Sequence, residues 1–166
     1  MINDSVYAAS SMRILPLLVL FIDIPFIYKL IPILLFDKVD CIMSGIINLE
    51  NKDLKDVNCQ SQEYQLTDKI MDTITYTVLL IYTSTKEYRW FTPMIIVLFV
   101  FRMIGVLFYL KNDDRRMLVY FPNFFLPTMI VFYLMDYLSA SKIYYYLSVI
   151  PIFIYKICNE YNYHWI

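Results

Sequence analysis

The sequence predicts an all-α membrane protein, a bundle of four to five transmembrane helices with an amphipathic interfacial helix in its first long loop. Three observations carry that expectation. Of the 166 residues, 60% are hydrophobic and 18% aromatic, above the roughly 45–50% apolar content of ordinary soluble domains. Apolar stretches near the roughly 20 residues that cross a bilayer recur four or five times. Short charged segments, such as those running from Lys86 to Arg89 and from Lys111 to Arg116, separate them. The chain is therefore read as one integral membrane domain covering residues 1–166.

The first span is expected at 14–36. Arg13 precedes the apolar run from Ile14 to Ile22, but no small-residue cleavage site follows and Asp23 interrupts it, so the run reads as an uncleaved span. Pro16, Pro25 and Pro32 lie inside. An interior proline frees the carbonyl one turn back, that of Phe21 for Pro25 and that of Tyr28 for Pro32, which predicts a helix kinked or broken near its middle. A re-entrant hairpin is the competing reading.

Residues 37–69 form the one long polar segment, with seven acidic residues against four lysines, 4 − 7 = −3. Within it Val39, Ile42, Met43, Ile46 and Ile47 repeat at helical spacing, while Asp40, Cys41, Ser44 and Asn48 take the opposite face. That pattern suits a helix lying on the membrane or a helix folded over the end of the bundle. Cys41 and Cys59 share this loop and pair only if it faces an oxidising compartment; two free thiols are the preferred reading.

The second span, 70–85, is short and polar, and Asp72, Thr75, Tyr76, Leu79, Tyr82 and Thr83 fall on one side at three- and four-residue steps. This face is expected to point into the bundle and bond to neighbouring helices. The third span, 91–110, is the cleanest, with Trp90 at the interface and Pro93 in the first turn, where proline is tolerated. It nevertheless carries Arg102 near its centre, with Gly105 and Tyr109 on the same face. In the fourth span, 117–138, the prolines at 122 and 127 predict a distorted stretch over 121–127, and Asp136 lies near the far end. The fifth, 143–157, reaches crossing length if Lys142 and Lys156 snorkel to the two headgroup layers, and the tail from Tyr161 to Trp165 reads as an aromatic anchor.

Five crossings would place eight basic residues on the side of the long loop and four on the other, which puts that loop in the cytoplasm by the positive-inside rule. Counting short connections alone leaves four on each side.

An ionisable group at mid-span costs about 2.5–3.5 kcal/mol on insertion scales, so it is expected to be paired or hydrated. Asp23 and Arg102 both fall near mid-span, and the sequence predicts that they pair across two helices. With Asp72 they form the candidate intramembrane charged site. Lys29 and Asp136 lie nearer span ends, where they can snorkel or meet water.

Composition excludes much else. Two glycines, Gly45 and Gly105, cannot build a phosphate-cradling loop or a dinucleotide fingerprint. One histidine, His164, and three separated cysteines give no metal-ligand spacing, so no metal and no cofactor are expected. A net charge of −1 without a basic stripe argues against nucleic acid. No carbonyl-filter motif of a potassium channel is present.

The expected function is that of a non-enzymatic, multi-pass integral membrane protein acting through helix–helix or protein–protein contact in its bilayer, with other membrane proteins or a second copy as partners. The alternative is a small proton- or ion-coupled transporter or channel using Asp23, Asp72 and Arg102. A membrane enzyme using Asp23, Asp72 and Asp136 ranks third, because no nucleophile or metal set accompanies them.

Overall fold

The computed structural model describes residues 14–36, 62–112, 114 and 116–164, and every element within them is helical. The amphipathic segment at 39–47 and the pair Cys41 and Cys59 lie outside the described residues. Two compact units divide the chain, Met1–Leu79 and Leu80–Ile166.

In the first unit the apolar run from Ile14 onward does not form one helix. A 3-10 helix, Leu15–Phe21, is followed by a bend at 22–24 and then by α1, Phe26–Phe36. The break falls where the sequence places it, because the residue before a proline avoids helical backbone and Pro25 is well suited to start the next helix. Tyr28 N–H bonds the Pro25 carbonyl at 3.0 Å as α1 begins. Pro32, by contrast, is accommodated inside α1. Each piece is too short to cross a bilayer by itself.

Helix α2, Gln62–Thr85, starts eight residues before the expected second span, inside the segment read as loop. Gln62, Glu63, Gln65 and Lys69 are good helix formers, and their polarity obscures a propensity that the helix uses. Lys69, Asp72, Tyr76, Leu79 and Thr83 are its buried residues, at steps of three and four, which is the polar face that the sequence turns inward. Thr73 and Thr77 hydroxyls each donate to the carbonyl four residues back, at 2.8 and 2.7 Å, so they need no partner elsewhere.

The second unit contains α3, Thr92–Asn112, then α4, Arg116–Tyr120, α5, Phe125–Tyr137, and α6, Lys142–His164. Phe91 meets Phe132 and Tyr133, while Phe101 meets Phe121 and Phe124, so α4 and α5 run antiparallel to α3. Phe91 also meets Tyr145, and Arg102 meets Glu160, so α6 runs parallel to it. Asp114 starts α4 by accepting the Arg116 N–H at 3.0 Å. The end of α5 closes with Ala140 N–H on the Met135 carbonyl and Ser139 N–H on that of Asp136, with Ser139 left-handed at φ 54°.

Among the described residues, two helical stretches are long and apolar enough to cross a membrane: Thr92–Asn112 and the interrupted Arg116–Tyr137. The first-span region and α2 do not qualify, the one because it is broken and the other because it is too polar. Helix α6 extends seven residues beyond the expected fifth span, to His164, and carries Pro151 without interruption. This extension brings Glu160 into the helix and into the core of the unit.

Candidate functional site

The distorted stretch expected at 121–127 is a true break between α4 and α5. Pro122 and Pro127 lack the N–H groups that would carry a helix through it, so local backbone groups need other partners. Side chains from α3 and α6 supply two of them. Arg102 Nη1 donates to the Phe121 carbonyl at 2.8 Å, and the Asn123 N–H donates to Glu160 Oε1 at 3.3 Å. The Asn123 side-chain oxygen accepts the Leu126 N–H at 3.5 Å and so helps to start α5.

Glu160 Oε1 also stands 3.4 Å from Lys156 Nζ, one turn back on α6, and 4.0 Å from Arg102 Nη1. Arg102, Asn123 and Glu160 are all buried. Two cationic side chains and a backbone N–H from three elements therefore converge on one carboxylate oxygen. Stacked aromatic rings lie alongside: Phe124 on Phe153 at 3.9 Å between centroids, and Phe101 on Phe124 at 6.1 Å.

Gly105 explains why the break can come so close to α3. A Cβ on Gly105 would overlap Phe121 Cβ, so only a residue without a side chain lets α3 approach the break, and Arg102 lies one turn earlier on the same face. Although small residues are too few for small-xxx-small packing along whole helices, this one is placed where the helices touch.

A second polar group closes the opposite end of the unit. Arg89 Nε donates to Asp136 Oδ2 at 2.8 Å, and Tyr133 Oη donates to the Glu87 carbonyl at 2.7 Å. The hydrogen bond to Asp136 raises the Arg89 guanidinium above its ordinary range, against a smaller opposing effect of burial. Trp90 packs edge-on against Tyr145 at 5.2 Å, and Lys142 Nζ lies 5.4 Å from the centre of its indole. Arg89, Trp90 and Asp136 of this group are partly exposed, whereas Tyr133 and Tyr145 are buried.

The three residues of the expected charged site are placed differently. Arg102 is at the centre described above. Asp23 is exposed in the bend of the first unit, and Asp72 is buried on α2, 3.5 Å from Lys69 Nζ, which also bonds Asp68 at 2.6 Å. The expected Asp23–Arg102 pair would join the two units, whereas the carboxylate beside Arg102 within its own unit is Glu160. Lys29 corrects an expectation. It does not snorkel but is buried, with Nζ donating to the Leu20 carbonyl at 3.3 Å across the Pro25 break. The ammonium thus serves backbone at a helix interruption, as Arg102 does at 121–124.

Sequence reasoning missed Glu160 because the fifth span was ended at Ile157, and it assigned Lys156 to snorkel to a headgroup layer, whereas its ammonium stands beside Glu160. The available signal was the i, i+4 spacing of Lys156 and Glu160, which places an ion pair on one helical face. Among the described residues, no group of three or more His, Cys, Asp or Glu side chains is arranged to hold a metal. The chain matches no protein-family model, no characterised protein and no solved structure.

Proposed function

We propose that the chain is a multi-pass integral membrane protein, non-enzymatic, that acts through helix–helix or protein–protein contact within its bilayer. The carrying observation is that the second unit, around an apolar core, leaves apolar faces of two long helices exposed while it buries several polar and charged groups. Its buried groups include Arg102, Asn123, Thr128 and Glu160, while Val97, Val100, Ile104, Leu107 and Phe108 of α3 are exposed. Helix α6 has the same character: Ile143, Leu147, Ile150, Ile154 and Ile157 face outward and Glu160 faces inward. Scattered exposed apolar residues are ordinary on soluble proteins, but continuous apolar faces on two long helices are not. Only 33% of the apolar window of α3 is buried, whereas a soluble core helix of that composition would be covered.

In this reading lipid or a neighbouring membrane helix covers those faces, and the charged cluster holds the broken helix in register. The test is cross-linking in native membranes from single cysteines at Ile150 and Ile154, in a chain whose own cysteines are serine. Discrete cross-linked species from these positions support helix–helix action. Recovery of the chain in the soluble fraction after alkaline extraction would refute membrane integration.

One observation favours a second reading, that of a small ion- or proton-coupled transporter. Transporters place ion sites at discontinuous helices, and the α4–α5 break holds Arg102 together with a buried carboxylate. Glu160 then takes the part expected of Asp23. Flux into liposomes that Glu160→Gln abolishes, in protein that remains folded, would establish it.

A further inference from the structure

We infer that α6 pairs with the α6 of a second copy of this chain, along a stripe made of Ile143, Leu147, Ile150, Ile154 and Ile157. The inference rests on the membrane reading above and adds to it the helix and the partner. These five side chains follow one another at steps of four, three, four and three, and each is about half exposed, between 49% and 62%. An apolar stripe at this spacing stays on one side of a helix and is the seam that a second helix packs into.

A released backbone group on that stripe favours a helix over lipid as its cover. Pro151 lies inside α6 and is exposed, and it brings no N–H to the Leu147 carbonyl one turn back. Leu147 is itself exposed, so this carbonyl lies on the seam. Lys142 beside Trp90 marks the bilayer surface in this reading, and Leu147 lies roughly 8 Å deeper at 1.5 Å per residue, where hydrocarbon offers no donor and a neighbouring helix can. Helix α3 shows a stripe of the same spacing, Val97, Val100, Ile104 and Leu107, but its one proline, Pro93, stands in the first turn and releases no carbonyl inside the span. Lipid can cover that face without leaving a carbonyl bare.

The charges on α6 suit a second copy. Copies of a membrane protein share one orientation, so two α6 helices meet in parallel about a two-fold axis along the bilayer normal, and each residue faces its equivalent. Any charge on the stripe would then oppose a like charge. The stripe carries none: Lys142 lies over Trp90, and Lys156 and Glu160 pair 3.4 Å apart away from it. With its exposed flanks Tyr144, Pro151 and Cys158, the face closes on itself over an area on the order of 1,000 Å², where specific interfaces begin.

The test is disulfide formation in native membranes between two differently tagged, co-expressed copies of the full chain, with Cys41, Cys59 and Cys158 replaced by serine and one cysteine introduced per variant. The stripe variants are Leu147→Cys, Ile150→Cys, Ile154→Cys and Ile157→Cys, and they are compared with Tyr155→Cys and Asn159→Cys, which are exposed on α6 but off the stripe. Copper-catalysed oxidation is expected to give dimers carrying both tags at all four stripe positions, at least about fivefold more than at 155 and 159, because a disulfide needs Cα atoms within roughly 7 Å. Equal yields at all six positions, no dimer from the stripe, or stripe adducts with another protein in place of the second copy would overturn the proposal. If the chain then stays in the membrane pellet after alkaline extraction, the function proposed above still stands; loss from that pellet would refute both.

Discussion

Arg102 donates a 2.8 Å hydrogen bond to the carbonyl oxygen of Phe121, a backbone group released by the interruption between α4 and α5. A guanidinium at the midpoint of an apolar helix is thereby committed to repairing a break in its neighbour. The same side chain faces Glu160, so one residue joins all three long stretches of the second unit. A shift of α3 along its axis would take the buried guanidinium away from both partners.

Removing the guanidinium therefore leaves two groups without it at once. Arg102→Met is expected to lower stability by about 3–5 kcal/mol, the range for breaking a buried pair from one side. Glu160→Gln alone should cost less, since Asn123 and Lys156 can still bond an amide oxygen. Denaturant titration of both single variants and the double variant checks this: the double should be less destabilised than the sum of the two singles.

Gly105→Ala is expected to cost about 1–3 kcal/mol, the usual penalty for overfilling a close contact. The added methyl meets Phe121 Cβ, which is fixed to backbone and cannot rotate away. The loss should be accompanied by weakened binding of Arg102 to the break, visible as faster amide exchange at Asn123 and Leu126.

Ser139 is the one described non-glycine residue with positive φ, 54°, and it occupies the position after α5 where glycine is favoured. Ser139→Gly is expected to raise stability by about 0.5–1 kcal/mol through relief of the Cβ clash. Ser139→Val should act in the opposite direction. Thermal unfolding of the two variants side by side distinguishes this from a general effect of altering the turn.

The Arg89–Asp136 pair is half-exposed, and Asp136→Asn is expected to cost less than about 1 kcal/mol. Because the folded-state pKa of Arg89 is raised, its contribution is fully present below the ordinary arginine range and is lost only as pH rises through the raised value. Stability measured from about pH 7 to 10 should therefore show no step that Arg89→Gln removes.

Much of this architecture was legible in the sequence, and the exceptions have physical causes. Pro25 and Pro122 stand at the two helix breaks, as a missing N–H favours, whereas Pro32 and Pro151 are carried inside α1 and α6. Thr92–Asn112 is equally plain, since its apolar run is long and its flanks are charged. Helix ends proved harder. The largely polar stretches at 62–69 and at 158–164 carry no apolar period, and α2 and α6 extend through both. Charge pairing was the least legible, because depth along a helix does not say which helix lies opposite. Glu160 reaches Arg102 because α6 is longer than its apolar core, and the buried Lys29 bonds a carbonyl nine residues away that no sequence pattern marks.

The central claim, that the exposed apolar face of α3 meets lipid, is tested most directly by site-directed spin labelling of the full chain in bilayers. Labels at Val97 and Leu107, each 65% exposed, are compared with one at Tyr88, which is 58% exposed and precedes the helix. In a chain with Cys41, Cys59 and Cys158 replaced by serine, the account predicts high oxygen accessibility and low accessibility to a water-soluble nickel chelate at 97 and 107, with the reverse at 88. Nickel accessibility at Val97 and Leu107 equal to that at Tyr88 would contradict it, because those side chains would then face water.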